Sequence, residues 1–164
     1  MRRLSFDRWV LQVDENATAA AYSKLKHGES AECGCIDCQN WIQQRDAALP
    51  SQFVQFLTSL GVDYRKETEI SEFEGGAVSP TLNSYTGEYL FVGTVESGPD
   101  CFTELRDGKG ATYDLKPVLG DLKVGFSTKL QWAMGRSHLP KLFPAERTSM
   151  VVFQVHATRG PLYA

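Results

Sequence analysis

The chain has 164 residues, a length typical of one domain, and its 42% hydrophobic share excludes a chain that is disordered throughout. A formal net charge of -3 argues against nonspecific binding of nucleic acid, which needs a basic surface. The chain contains no run of about 18 apolar residues, so no membrane span is predicted. The N-terminal segment lacks the continuous apolar stretch of a secretory signal. We therefore expect a single domain over residues 1–164, with neither nucleic acid nor a membrane as its partner.

The first half of the chain is predicted to contain one strand and then helices. The hydrophobic residues of Leu4–Val13 alternate, which is typical of a strand. The alanine-rich segment Ala17–His27 predicts a helix. A second helix is predicted over Ile36–Ala48, and a third begins at Pro50, where its aromatic and leucine residues recur at helical spacing, and stops at Gly61.

Beyond Lys66 the hydrophobic period changes from helical to alternating, which indicates strands. The predicted strands are Thr68–Phe73, Tyr89–Val95, Cys101–Leu105, Ala111–Leu115, Leu122–Phe126 and Val151–Val155. Gly75–Gly87 and 136–149 are rich in turn-forming residues and are predicted to be loops, and Thr128–Met134 is predicted to form one or two helical turns. The plan is an N-terminal strand, two to three helices and then an antiparallel β-meander, which is the α+β class.

The stretch His27–Trp41, HGESAECGCIDCQNW, is the most concentrated in reactive side chains. Cys33, Cys35 and Cys38 form a Cys-x-Cys-x-x-Cys cluster, and thiolates are preferred ligands of tetrahedral zinc. His27 is the nearest candidate for a fourth ligand, so we predict a zinc site made of these four residues. Three thiolates also suit an iron–sulfur cluster. Other candidates for the fourth ligand are Cys101, His138 and His156.

The same cysteines allow two other interpretations. Cys35 and Cys38 would lie in the first turn of the second helix, where backbone amides lower the pKa of a thiol, and this favours a redox pair. A thioredoxin fold is disfavoured, because it needs a strand that leads directly into that helix. The cysteines would otherwise be small side chains that only pack the start of the helix. Four cysteines without a secretory signal favour a reducing compartment, the cytoplasm.

Two further features of the sequence carry predictions. The acidic residues Glu67, Glu69, Glu72 and Glu74 are expected to form a solvated strand face, with a cation site as the alternative. The Gly75–Gly87 loop and the sheet could form a small-molecule cleft. Its predicted lining residues are Tyr85, Tyr89 and Trp132. Since no nucleophile elbow, phosphate-binding loop or HExxH motif is present, no catalytic residue is predicted.

The segment CGCIDCQNW, followed by Arg45 and Leu49-Pro50 and later by FLTSLGVD and YLFVGTV, resembles an uncharacterised family of small bacterial proteins. Those proteins begin with a strand and carry a CGCxxCxN stretch ahead of a helix. The resemblance implies a bacterial, cytoplasmic, single-domain protein and brings no activity with it. The absence of a catalytic motif favours a non-enzymatic binding or interaction module, whose partner would be a protein or a small molecule.

Overall fold

The computed structural model describes residues 1–72, 79–130 and 139–163. Its helices are α1 (Glu15–Ser23), α2 (Glu29–Cys33), α3 (Ile36–Ala48) and α4 (Ser51–Ser59). Its strands are β1 (Arg2–Phe6), β2 (Trp9–Val13), β3 (Glu69–Glu72), β4 (Leu82–Ser97), β5 (Phe102–Glu104), β6 (Ala111–Tyr113), β7 (Lys116–Leu119), β8 (Leu122–Ser127) and β9 (Thr148–Thr158). The predicted α+β class is confirmed.

Seven of these strands form one antiparallel sheet, in the order β1-β2-β4-β9-β8-β7, with β3 paired to β4. The strand β4 has 16 residues, so it pairs with β3 and β9 along one part and with β2 along another. The last strand, β9, lies between β4 and β8. The antiparallel sheet is therefore as predicted, although its order is not that of a sequential meander.

The single strand predicted over Leu4–Val13 is wrong, because this segment is the β1–β2 hairpin. Phe6 pairs with Trp9 across a turn in which Asp7 has a φ of 50°. Aspartate tolerates this left-handed conformation better than most residues. Because the turn has only two residues, the alternation of hydrophobic residues continues through it and hides the reversal of the chain.

The helix α3 packs against β9 through an aromatic cluster, which holds the cysteine-bearing end of α3 on the sheet. The ring centroid of Trp41 lies 5.1 Å from that of Tyr85 and 5.7 Å from that of Phe153. Tyr89 stacks on Phe153 at 5.4 Å. Tyr85 and Tyr89 are both 0% exposed, so they belong to the core and do not line a cleft as predicted.

The loop predicted over Gly75–Gly87 is wrong from Leu82 onward, where β4 begins. The prediction rested on glycine, serine and threonine, which are common in loops. In the structure Tyr85 and Gly87 are buried beneath Trp41 and Phe153, so packing outweighs local propensity. Residues 73–78, Trp132 and most of the predicted helical turns at Thr128–Met134 lie outside the described residues.

The strands β5 and β6 lie within the strands predicted over Cys101–Leu105 and Ala111–Leu115. They form a second, two-stranded sheet, joined by Asp107-Gly108-Lys109-Gly110, a sequence typical of a hairpin turn. It is joined to the large sheet by a backbone hydrogen bond from Cys101 to Phe126, of 3.0 Å. The Tyr113 hydroxyl also donates a 2.8 Å hydrogen bond to Glu88 of β4. Along β4 side chains alternate, so Glu88 lies on the face opposite Tyr89 and α3. The hairpin thus covers part of the outer face of the sheet.

Candidate metal centre

The backbone between α2 and α3 brings the three cysteines of the cluster together. Cys33 ends α2, and Gly34 follows with a φ of 70°, a left-handed conformation that glycine adopts without strain. Cys35 is then extended and precedes the first residue of α3. Because the chain turns at Gly34, Cys33 is directed back towards Cys35 and Cys38.

The sulfur atoms of Cys33, Cys35 and Cys38 all lie within 4.8 Å of one another. All three thiols are free; Cys33 and Cys35 are exposed and Cys38 is buried. Sulfur atoms around a tetrahedral zinc ion are about 3.8 Å apart, given Zn–S bonds of about 2.3 Å. Small rotations of the side chains are thus sufficient to close the cluster around a metal ion. In the ranges that the structure describes, this is the only group of three or more such ligands.

The pKa values of Cys35 and Cys38 are shifted in opposite directions. The Cys35 sulfur accepts a 3.4 Å hydrogen bond from the backbone N–H of Cys38. That hydrogen bond lowers the pKa of Cys35, and hydrogen bonds with the neighbouring thiols of Cys33 and Cys38 lower it further. Burial raises the pKa of Cys38, and the two adjacent thiols raise it further. Cys35 therefore ionises before Cys38, which needs a compensating positive charge to lose its proton.

A buried carboxylate connects the two helices that carry the cysteines. Glu67 is 0% exposed and accepts hydrogen bonds from the Ser30 backbone at 3.2 Å and from the Ser30 hydroxyl. Trp41 Nε1 at 3.4 Å and Arg45 Nη1 at 3.3 Å also donate to it. The expectation that Glu67 belongs to a solvated strand face is therefore wrong. Glu67 instead fixes α2 against α3.

The C-terminal segment supports the start of α3 from the other side. Asn40, which is 0% exposed, donates to the carbonyl of Thr158 at 3.0 Å and accepts from the N–H of Gly160 at 2.9 Å. The Tyr163 hydroxyl donates to the Asp37 carboxylate. Sequence reasoning missed these contacts, because the partners are more than a hundred residues apart. The CxN spacing of Cys38 and Asn40 was the only signal near them.

The candidates for a fourth ligand lie in different places. His27 is exposed, and its Nδ1 atom lies 3.7 Å from a carboxylate oxygen of Glu32. It does not belong to the group of mutually close sulfur atoms, and its role as a ligand stays a prediction. Cys101 is buried beside β8, and His156 on β9 contacts Asp121 at 3.3 Å. His138 lies outside the described residues.

Comparisons of this chain with known protein families, with curated proteins and with solved structures found no match. None of the described helices is long and apolar enough to cross a membrane. The structure itself shows an α+β domain with a cluster of three cysteines, two exposed and one buried, that is compatible with metal binding.

Proposed function

We propose that the protein is a non-enzymatic binding module in which Cys33, Cys35 and Cys38 hold one zinc ion. The observation that carries the proposal is the mutual proximity of their sulfur atoms, all within 4.8 Å. The hydrogen bond that lowers the pKa of Cys35 supports it, since a thiol must lose its proton to bind a metal. A zinc ion would also supply the positive charge that the buried Cys38 needs in order to ionise.

His27 is the proposed fourth ligand of this zinc ion. A metal-binding histidine commonly donates its second ring N–H to a carboxylate, which orients the ring. Glu32 is the candidate for that role, because one of its carboxylate oxygens lies 3.7 Å from His27 Nδ1; Nε2 would then bind the metal. The zinc ion would then tie together α2, the start of α3 and the segment before α2. We propose that the bound zinc ion stabilises a surface with which the protein binds another protein or a small molecule.

Metal analysis of protein purified without chelator tests this function. One equivalent of zinc per chain is expected, and less than about 0.2 equivalents of any metal would contradict the proposal, because thiolate sites bind zinc tightly. Cys35→Ser should lose the metal. The matched control is Cys101→Ala, which removes a buried cysteine outside the cluster and should keep one equivalent. His27→Ala should bind zinc more weakly if His27 is the fourth ligand.

A second candidate function is a thiol redox pair of Cys35 and Cys38, in a protein of the reducing cytoplasm. The hydrogen bond from the Cys38 N–H to the Cys35 sulfur favours it, because it stabilises an exposed thiolate at the start of α3. Alkylation by iodoacetamide, measured against pH on metal-free protein, should show a thiol that titrates below the ordinary value of about 8.5. A redox function further requires that a glutathione couple interconvert the dithiol and a Cys35–Cys38 disulfide. If the disulfide does not form, the redox function is contradicted.

A further inference from the structure

Two adjoining cavities lie on the outer face of the sheet, beside the β5–β6 hairpin. Their volumes are about 320 Å³ and 530 Å³, the size of a small-molecule site. Both are lined by Ser71 of β3, Thr86 of β4, and Ala111 and Tyr113 of β6. We call this pair of cavities the outer cleft. It contains none of the three clustered cysteines, so any ligand of the cleft would be independent of the metal.

The side chain of Glu88 lines the smaller cavity and is only 4% exposed. One carboxylate oxygen, Oε1, accepts the 2.8 Å hydrogen bond from Tyr113. The other oxygen, Oε2, has no hydrogen-bond partner among the described residues. A buried acceptor without a partner is rare in folded proteins, because removing it from water costs free energy. A ligand that donates a hydrogen bond to Oε2 would remove this cost.

The charge around Glu88 indicates which kind of ligand would bind. Glu69 of β3 is the direct partner of Glu88 in the antiparallel register, so both side chains lie on the same face, and both line the cavity. The exposed Lys109 in the hairpin turn also lines it. Burial raises the pKa of Glu88 to about 7; the Tyr113 hydrogen bond opposes this effect and the charge of Glu69 adds to it. The larger cavity adds Lys123 and Asp114, and the Asp114 carboxylate forms an ion pair with Lys116 at 2.7 Å.

We propose that the outer cleft binds a small organic cation, with a primary ammonium or guanidinium group that donates hydrogen bonds to the carboxylates of Glu88 and Glu69. The hydroxyl groups of Ser71 and Thr86 accept the remaining N–H donors, and the larger cavity accommodates the rest of the molecule. Calcium prefers six to eight oxygen ligands, which two carboxylates and a few hydroxyls do not supply as readily.

Binding is measured by NMR titration of the full chain with agmatine and butylamine, and with butanol as the neutral compound of similar shape. Both amines should bind at millimolar concentration or below, and butanol should not. Glu88→Gln should weaken amine binding at least about tenfold, because it removes a charge-assisted hydrogen bond. The control is Glu104→Gln, which removes an exposed carboxylate of β5 outside the cleft and should not change binding.

The affinity of wild-type protein for the amines should rise between about pH 6 and pH 8 as Glu88 ionises, and Glu88→Gln should remove most of this rise. Ala111 lines both cavities, so the large side chain of Ala111→Phe should fill the space between them. This variant tests the site without altering a carboxylate, and it should abolish binding. The proposal is wrong if the amines do not bind, if calcium ions bind in their place, or if Glu88→Gln and Ala111→Phe both bind the amines like wild type. Cys35→Ser should bind the amines normally, which separates this result from that of the metal analysis.

Discussion

Replacement of Glu67 is the most direct test of how the cysteine cluster is held. Its carboxylate is 0% exposed and accepts hydrogen bonds from Ser30, Trp41 and Arg45. The side chain of Arg45 is only 13% exposed, so the guanidinium group also depends on Glu67 as its partner. Glu67→Ala removes the carboxylate. The buried charge of Arg45 and the donors of Ser30 and Trp41 then have lost this acceptor.

The expected loss of stability follows from those contacts. Removing one partner of a buried ion pair costs about 3–5 kcal/mol, mostly because the remaining charge stays buried. In a domain of this size, each kcal/mol lowers the melting temperature by about 2–4 °C, so Glu67→Ala should melt roughly 6–20 °C below wild type. Glu67→Gln keeps one acceptor oxygen and should lose less, about 1.5–3 kcal/mol.

Urea denaturation of metal-free protein measures the free energy of unfolding without a contribution from zinc. Arg45→Met in the Glu67→Gln background should cost less than Arg45→Met in wild type, because the two residues interact directly. The exposed Glu104→Ala is the control and should stay within about 0.5 kcal/mol of wild type. A loss below about 1 kcal/mol for Glu67→Ala would refute the reasoning that this carboxylate holds α2 to α3.

Four further predictions follow from the site and the cleft. Addition of a zinc chelator to wild-type protein should lower its melting temperature, whereas Cys35→Ser should not respond. Gly34→Ala should cost about 1 kcal/mol in unfolding experiments, because its φ of 70° strains other residues although no atom lies within 4 Å of the added Cβ. Tyr163→Phe removes the hydrogen bond to Asp37, which should increase amide hydrogen exchange in the first turn of α3. The pKa of Glu88 is raised from 4.5 to about 7 in the folded protein, so the native state binds more protons than the unfolded chain between these values. Stability should therefore fall by up to about 3 kcal/mol as the pH rises from about 4.5 to 7, and Glu88→Gln should reduce this fall.

Each of these predictions has an outcome that contradicts it. A chelator effect that persists in Cys35→Ser would place the metal elsewhere. Gly34→Ala with wild-type stability would mean that the turn tolerates a side chain. Unchanged exchange in Tyr163→Phe would show that the C-terminal segment does not support α3. Equal pH profiles for Glu88→Gln and wild type would assign the pH dependence to other groups.

The sequence alone determined those features whose cause is local. The bounds of α3, Ile36–Ala48, were predicted correctly, since Pro50 and the residues at the helix ends act within a few positions of the chain. The proximity of Cys33, Cys35 and Cys38 is local too, because six residues that include one turn cannot separate their sulfur atoms far. The hairpin of β5 and β6 was predictable from its turn residues.

Only the tertiary structure decided which polar groups are buried. The position of β9 between β4 and β8 places Phe153 beneath Trp41, and no local pattern specifies that order. The residues next to Glu67 and Glu88 in the sequence do not distinguish them from exposed acidic residues. In the structure, Glu67 pairs with Arg45 and Glu88 accepts a hydrogen bond from Tyr113. Those partners are 22 and 25 residues away, so burial depends on how the helices and the hairpin dock on the sheet. Local spacing brings the thiols together, whereas long-range packing decides which carboxylates and thiols are buried and which groups they contact.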